Sequence, residues 1–180
     1  MNSNIEIKAR ARDFALQKEL AAAISDTPEE LLCQEDTFFN ASKGRLKLRM
    51  FSEDRGELIY YERNNISGPK LSNYSVLKTD DPSRLKEMLA SALGVYGVVR
   101  KKRHLFIVGQ TRIHLDEVED LGCFIELEVV MQPGQTADQC LDTANHIMET
   151  MQIHQADLID VAYIDLLKDG VCMENGGGKE

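Results

Sequence analysis

Charged and apolar residues alternate in several short stretches, and that spacing suits phosphate and metal chemistry. From Asn4 to Arg12, the even positions are polar or charged and the odd positions are Ile or Ala. Residues of equal parity project to one face of a β-strand, so Glu6, Lys8 and Arg10 would share a face. Cations on such a face can hold phosphate oxygens, and carboxylates can hold a divalent metal ion.

The same alternation returns later in the chain. In GRLKLRM, Leu46 and Leu48 separate three cations. In VVRKKRHLFIV either register exposes two cations, and we expect Lys101 and Arg103 on the polar face. The polar faces of these later stretches carry Arg45, Lys47, Arg49, Tyr61, Arg63, Lys101, Arg103, Arg112, His114, Asp116, Glu126 and Glu128.

The charges on these faces are segregated rather than mixed. Cations dominate the stretches near residues 45–63 and 101–112, whereas acids come mainly from the first and last stretches. Solvated surfaces usually intersperse both signs. The pattern therefore indicates a face that contacts a ligand, and a polyphosphate with a divalent metal ion would satisfy both the cations and the carboxylates.

Turn residues divide the chain into predicted strands and helices. The predicted strands lie near residues 4–12, 34–40, 44–51, 57–64, 72–79, 97–108, 111–118 and 123–131. The predicted helices begin after the capping residues Asp13, Asp81, Thr136 and Asp157, and Gly94 closes the second of them. Most connections between the strands are short, which favours antiparallel hairpins.

These elements predict an α+β fold in which eight antiparallel strands close into a β-barrel and the helices pack outside it. Closure removes the sheet edges and turns the charged face inward, so the interior would be a charged tunnel. Clustered like charges repel in a poorly solvated space unless a ligand fills it. We expect a single tunnel domain over residues 1–170 and a flexible tail over residues 171–180.

Composition excludes several function classes. The chain has 180 residues and a formal net charge of −9, which argues against a general nucleic-acid binder. No apolar run reaches the ~20 residues that span a bilayer, and no signal-peptide layout is present, so we expect a cytoplasmic protein that does not contact membranes. The four cysteines have no metal-like spacing and are expected to be reduced thiols.

Several motifs, taken in order, match those of a known family. Asn4, Glu6 and Lys8 occupy the positions of an ExExK signature, followed by GRLKLR, LIYYER, KKR, RIHLDEVEDLG and FIELE, and YIDLL lies near the end. Over roughly residues 4–131 the chain resembles the CYTH superfamily, or triphosphate tunnel metalloenzymes. That superfamily includes class IV adenylate cyclases, thiamine triphosphatases and inorganic triphosphatases. Asn4 departs from the signature, because its amide keeps an oxygen ligand but lacks the negative charge.

The resemblance implies a role for each matching residue. Glu6, Glu126 and Glu128 would bind metal, with Asp116 close to the same ion. The implied catalytic residues are Glu6, Lys8 and Asp116, and the implied cofactor is Mg²⁺ or Mn²⁺. The implied phosphate-binding cations are Lys8, Arg45, Lys47, Arg49, Arg63, Lys101, Arg103 and Arg112.

These observations predict an enzyme that hydrolyses a triphosphate with the help of a metal ion. The substrate could be inorganic triphosphate, thiamine triphosphate or a nucleoside triphosphate. The first alternative is an adenylate cyclase that makes cyclic AMP and pyrophosphate from ATP, since the same charges serve either reaction. The second is a catalytically weak polyphosphate-binding module, for which Asn4 is the motivating feature. The sequence leaves open the organic part of the substrate and whether the protein is a monomer or a homodimer.

Overall fold

The computed structural model describes residues 2–63 and 68–174, except for the side chains of residues 2, 63 and 170–174. The strands are β1 (Asn2–Arg10), β2 (Glu30–Phe39), β3 (Arg45–Ser52), β4 (Arg55–Arg63), β5 (Lys70–Thr79), β6 (Val95–Val108), β7 (Thr111–Val118) and β8 (Gly122–Val130). The helices are α1 (Phe14–Ile24), α2 (Pro82–Leu93), α3 (Ala137–Thr150) and α4 (Tyr163–Glu174).

All eight strands join in one closed antiparallel barrel, in the order β1, β5, β4, β3, β2, β6, β7, β8. β1 closes the barrel because it pairs with β5 on one side and with β8 on the other. The predicted α+β barrel is therefore confirmed. β2 begins earlier than predicted, at Glu30, because its first residues pair with the far end of β6, where Glu30 lies opposite Leu105.

The main hydrophobic core lies between the outside of the barrel and the helices. The odd residues of β1, Ile5, Ile7 and Ala9, are buried there, as their alternation predicts. They share one cluster with Ile113, Leu115, Ile125, Leu127 and Val129 of β7 and β8, and with Cys140, Ala144, Ile147 and Met148 of α3. Because apolar residues face outward on these strands, the polar residues of the same strands face the barrel interior.

Three of the four predicted helix caps are confirmed. The Asp13 side chain accepts a hydrogen bond from the Leu16 backbone N–H, and the Asp81 side chain accepts one from the Arg84 N–H. Thr136 forms a capping box at the start of α3. Among the described helices, none is long and apolar enough to cross a membrane.

The prediction of a helix directly after Asp157 is wrong. A 3₁₀ turn over Gln155–Asp157 is followed by an extended segment, and α4 begins only at Tyr163. The extended segment adds to β1 instead, since the Ile159 N–H donates to the Lys8 carbonyl at 3.0 Å. α4 then continues to Glu174, past the predicted boundary at residue 170, and residues 175–180 lie outside the described set.

α4 seats against β6 at a glycine. A Cβ atom added to Gly97 would overlap Cδ1 of Ile164, so a larger residue here would force the Ile164 side chain to shift. Ile164 belongs to a second buried cluster with Phe38, Val99, Phe124 and Tyr163. This cluster fixes α4 across one end of the barrel.

Gly97→Ala should therefore destabilise the protein by about 1–3 kcal/mol, the usual cost of overpacking. Ile164→Val removes the Cδ1 atom that the new methyl group would meet. We expect the double variant to be more stable than the sum of the two single effects predicts, as measured by urea unfolding. Strictly additive effects would show that α4 does not seat on Gly97.

Candidate functional site

The barrel interior is a cavity lined by residues from every strand and by the start of α4. It brings together most of the site residues predicted from the sequence. Those that line it are Glu6, Lys8, Lys47, Arg49, Lys101, Arg103, Arg112, Glu126 and Glu128. The predicted register of β6 is confirmed, since Lys101 and Arg103 both line this cavity.

Asp116 is a buried carboxylate that pairs with two of these cations. Its Oδ2 accepts from Arg103 Nη2 at 2.6 Å and from Lys101 Nζ at 3.1 Å. The Tyr163 hydroxyl of α4 donates to the same oxygen at 3.0 Å. The Asp116 side chain has no solvent exposure, so these contacts replace its hydration.

A second buried carboxylate, Asp36 of β2, organises the cations of β3. Lys47 Nζ lies 2.8 Å from Asp36 Oδ2, and Arg49 donates to both Asp36 oxygens, at 2.8 and 2.9 Å. Asp36 is therefore a part of the site that the sequence prediction missed. Its position two residues before Phe38, on the inward parity of β2, is the signal that could have found it.

Lys8 and Glu126 form a third pair, deep in the cavity. Lys8 Nζ lies 2.7 Å from Glu126 Oε1 and 3.7 Å from the centroid of the Tyr163 ring. Arg103 donates to the other oxygen of Glu126. Tyr163 thus contacts both Asp116 and Lys8, and α4 closes this end of the tunnel.

The opposite end is open, and we call it the tunnel mouth. It lies where β4 and β7 begin and β5 ends, and its lining includes Glu57, Val76 and Arg112. The Arg112 side chain is 43% exposed and its Nη1 lies 3.3 Å from Glu128 Oε2. The tunnel is therefore closed and charged at the α4 end and open to solvent at the other end.

Two predicted phosphate-binding residues are not placed in the cavity lining. Arg45 forms a two-point ion pair with Asp165 of α4, at 3.1 and 2.7 Å, beside the closed end of the tunnel. This pair turns the guanidinium toward α4, and the phosphate-binding role of Arg45 stays a prediction. The side chain of Arg63 lies outside the described residues.

The expected segregation of charges is also wrong in the interior. Acids from β2, β7 and β8 form ion pairs with the cations of β1, β3 and β6. The reason is that Asp36 and Asp116 flank β6 in the barrel order, a neighbourhood that chain order does not reveal. Each buried cation pair therefore already has a carboxylate partner.

Burial and these neighbours shift several pKa values. Burial lowers the pKa of Lys47 to about 7, and Arg49 beside it acts in the same direction. Although burial opposes ionisation, the surrounding cations hold the pKa values of Asp36, Asp116 and Glu126 below their ordinary range. Burial, with a further contribution from Arg103, lowers the pKa of His114 well below its ordinary value.

One cluster in the cavity has the donor atoms for a metal ion. Ligand atoms of His114, Glu126 and Glu128 all lie within 4.8 Å of one another. His114 is buried, and its Nδ1 makes no hydrogen bond to any residue that the structure describes. A neutral imidazole nitrogen without a partner, aimed at two carboxylates 3.9 Å away, is a suitable metal ligand.

Comparison with known proteins identifies the family of this chain. A family model described as "CYTH domain" matches residues 2–163, which is most of the chain. The chain belongs to the CYTH family. A candidate adenylate cyclase of Methanocaldococcus jannaschii is 26% identical in an alignment of 146 positions that covers 74% of this chain and 80% of that protein.

Solved structures share the CYTH fold of this chain. The PH1012 protein of Pyrococcus horikoshii has a TM-score of 0.79 at 21% identity, over 91% of this chain and 98% of that one. HpAC1 of Hippeastrum, a candidate adenylyl cyclase with a dominant triphosphatase activity, has a TM-score of 0.64 at 13% identity, over 94% and 96%. At these low sequence identities, the structural similarity supports the fold of the chain and nothing further.

The buried carboxylates of this CYTH barrel should matter more to stability than exposed ones. Asp36→Asn leaves Lys47 and Arg49 without their counter-charge, and we expect a loss of about 3–5 kcal/mol in the free energy of unfolding. Glu35→Gln is the matched control, since Glu35 pairs with Lys86 and Arg100 on the outer surface. It should cost at most about 1 kcal/mol in the same urea titration. Equal losses would contradict the buried network.

The lowered pKa of Lys47 predicts a pH dependence of stability. Between about pH 7 and pH 10.5 the unfolded chain binds a proton that folded Lys47 lacks, so the free energy of unfolding rises with pH in this window. Asp36, Arg49 and Lys101 are the charged groups that act on it. Urea unfolding from pH 7 to 9 should show a smaller rise for Lys47→Met than for the wild type.

Some rise should remain in that variant, because burial also lowers the pKa of Lys101. Lys102→Met removes an exposed lysine from the same barrel and serves as the control. It should keep the wild-type dependence on pH. An unchanged rise in Lys47→Met would show that Lys47 stays protonated throughout the window.

Proposed function

We propose that this protein binds a triphosphate in its tunnel and hydrolyses it with a divalent metal ion. The observation that carries the proposal is the convergence of cations from four strands on one cavity that also holds a possible metal cluster. These cations are Lys8 of β1, Lys47 and Arg49 of β3, Lys101 and Arg103 of β6, and Arg112 of β7. A triphosphate chain is a small ligand with enough negative charge to engage several of them at once.

The cations are held in place before any ligand arrives. Asp36 orients Lys47 and Arg49, while Asp116 orients Lys101 and Arg103. Groups that are already oriented lose little freedom on binding, and they can stabilise the charge that develops during phosphoryl transfer. We therefore assign Asp116 to positioning these cations, whereas the sequence resemblance implied a place beside the metal ion.

Glu126, Glu128 and His114 would hold the metal ion, and the donor set fits this role. Glu6 lies opposite Glu128 in the pairing of β1 with β8, so its carboxylate can complete the oxygen set. Carboxylates suit both Mg²⁺ and Mn²⁺, and the imidazole suits Mn²⁺ better. When bound, the ion would polarise phosphate oxygens and acidify a water molecule.

Asn4 also faces this region. It lines the cavity, it is buried, and its Oδ1 accepts no hydrogen bond from the described part of the chain. An unpaired buried carbonyl oxygen is costly, so a ligand or an ordered water is expected beside it. Asn4 therefore keeps an oxygen donor where the CYTH signature has a carboxylate.

A cyclase reaction is the second candidate, and the Methanocaldococcus relative favours it. In that reaction the 3′-hydroxyl of ATP attacks the α-phosphorus, and pyrophosphate leaves as cyclic AMP forms. The same cations would hold the triphosphate in either reaction. The two therefore differ in the attacking oxygen rather than in the charged wall of the tunnel.

A panel of metals and substrates tests the proposal. Inorganic triphosphate, thiamine triphosphate and ATP should be incubated with Mg²⁺, Mn²⁺ or EDTA, and phosphate, pyrophosphate and cyclic AMP measured separately. Hydrolysis predicts metal-dependent release of phosphate without cyclic AMP. Cyclic AMP and pyrophosphate in equal amounts would instead establish the cyclase. Binding without turnover under every metal condition would identify a phosphate-binding module.

Glu128→Gln should weaken metal binding specifically, because it removes the charge of one member of the cluster. We expect the half-saturating Mn²⁺ concentration to rise about tenfold or more, both in turnover and in direct titration of free Mn²⁺. Glu57→Gln is a matched control, since Glu57 lines the same cavity outside the cluster. If both variants shift the metal dependence equally, the ion does not bind at this cluster.

A further inference from the structure

Two carboxylates of the proposed metal cluster are already paired with cations of the proposed phosphate site. Glu126 Oε1 lies 2.7 Å from Lys8 Nζ, and the other oxygen of Glu126 accepts from Arg103 Nη2. Glu128 Oε2 lies 3.3 Å from Arg112 Nη1. The groups that would bind a metal ion and the groups that would bind phosphates therefore neutralise each other.

These pairs differ from the pairs that Asp116 makes. Asp116 is fully buried and is not among the residues that line the cavity, so a ligand in the cavity need not displace it. Glu126 and Glu128 do line the cavity. A phosphate chain that enters the cavity must therefore compete with these two carboxylates for the cations that they contact.

Lys8 shows this competition most clearly. Its Nζ lies between Glu126 Oε1, at 2.7 Å, and the centroid of the Tyr163 ring, at 3.7 Å, and its side chain is only 4% exposed. Lys8 also lies directly opposite Glu126 in the pairing of β1 with β8, so the backbone holds the two residues together. A phosphate oxygen gains the full charge of Lys8 only when the charge of Glu126 is taken up elsewhere.

Electrostatics makes the two expected ligands depend on each other. A carboxylate repels a phosphate strongly in a poorly solvated cavity, but a divalent cation between them attracts both. A metal ion that takes the carboxylates would release Lys8 and Arg103 for phosphate. A phosphate chain that takes these cations would in turn release the carboxylates for metal, so each ligand removes the competitor of the other.

We infer that Glu126 and Glu128 act as internal anions, which hold the phosphate-binding cations until a divalent metal ion takes the two carboxylates. This inference rests on the proposed function, because it assumes that these cations bind phosphates and that these carboxylates bind metal. Triphosphate without metal is then a poor ligand of the tunnel. Metal ion and triphosphate raise the affinity of the protein for each other by the same factor, as linkage requires.

Binding of inorganic triphosphate in EDTA tests this inference without a metal ion and without turnover. Glu126→Gln should bind triphosphate about tenfold more tightly than the wild type in a calorimetric titration, because Lys8 and Arg103 lose a charged competitor. Glu128→Gln should show a smaller gain, since its partner Arg112 is 43% exposed and already solvated. A purely structural role of these glutamates would not produce a gain in affinity.

Glu57→Gln is the matched control. It removes one negative charge from the same cavity, but Glu57 belongs to none of the ion pairs described above. Its affinity for triphosphate should change by about twofold at most. Equal gains in Glu57→Gln and Glu126→Gln would reveal a general effect of charge and would overturn the inference, as would an unchanged or weaker affinity of Glu126→Gln in EDTA.

A second titration, in excess Mn²⁺, separates this inference from the proposed function. The wild type should bind triphosphate more tightly than in EDTA, and Glu126→Gln should lose its advantage because it has lost a metal ligand. If the wild type binds in Mn²⁺ but Glu126→Gln gains nothing in EDTA, the inference fails and the proposed function stands. If the wild type binds triphosphate under neither condition, both fail.

Urea unfolding shows whether each variant is folded. Glutamine keeps the shape of Glu126 and an oxygen that can accept from Lys8, while Arg103 keeps its pair with Asp116. We therefore expect Glu126→Gln to fold. If it does not, the gain of Glu128→Gln over Glu57→Gln in EDTA decides the inference, and the absence of that gain overturns it.

Discussion

The interior of this barrel depends on one constraint, which is that a buried cation needs a carboxylate beside it. Removing a charge from water costs several kcal/mol when no partner compensates for it. Asp116 meets this requirement for Lys101 and Arg103, and Asp36 meets it for Lys47 and Arg49. The carboxylates allow a set of cations to face one cavity without unfolding the barrel by mutual repulsion.

The same constraint explains why the fold is built with its main core outside the barrel. Ile7, Leu127 and Ala144 lie in a cluster between the strands and α3, where no charge competes for the space. Hydrophobic burial therefore stabilises the molecule on the outer face, and the inner face is available for ligand chemistry. α4 joins the two regions, since Ile164 packs on β6 while Tyr163 contacts Asp116.

Electrostatic balance also makes the site responsive to an anion. Asp36 is shared between two cations, so burial outweighs its attraction for Lys47, whose pKa falls to about 7. An anion placed next to Lys47 would favour the protonated amine and raise that pKa. Binding of a phosphate chain would then be coupled to uptake of a proton at Lys47.

The sequence by itself determined the barrel and most of the cations in it, because strand alternation assigns residues such as Lys8, Lys47 and Arg103 to one face wherever the strand lies. The caps Asp13 and Thr136 could be predicted for a similar reason, since a cap acts within a few residues of its own chain.

Only the tertiary structure decided which charges meet. Asp36 contacts Lys47 because β2 and β3 pair, and Asp116 contacts Tyr163 because α4 lies across the end of the barrel. The ion pair of Arg45 with Asp165 likewise depends on the position of α4. These partners are far apart in sequence or lie in elements whose placement depends on packing. A local sequence pattern therefore does not show which of them come into contact.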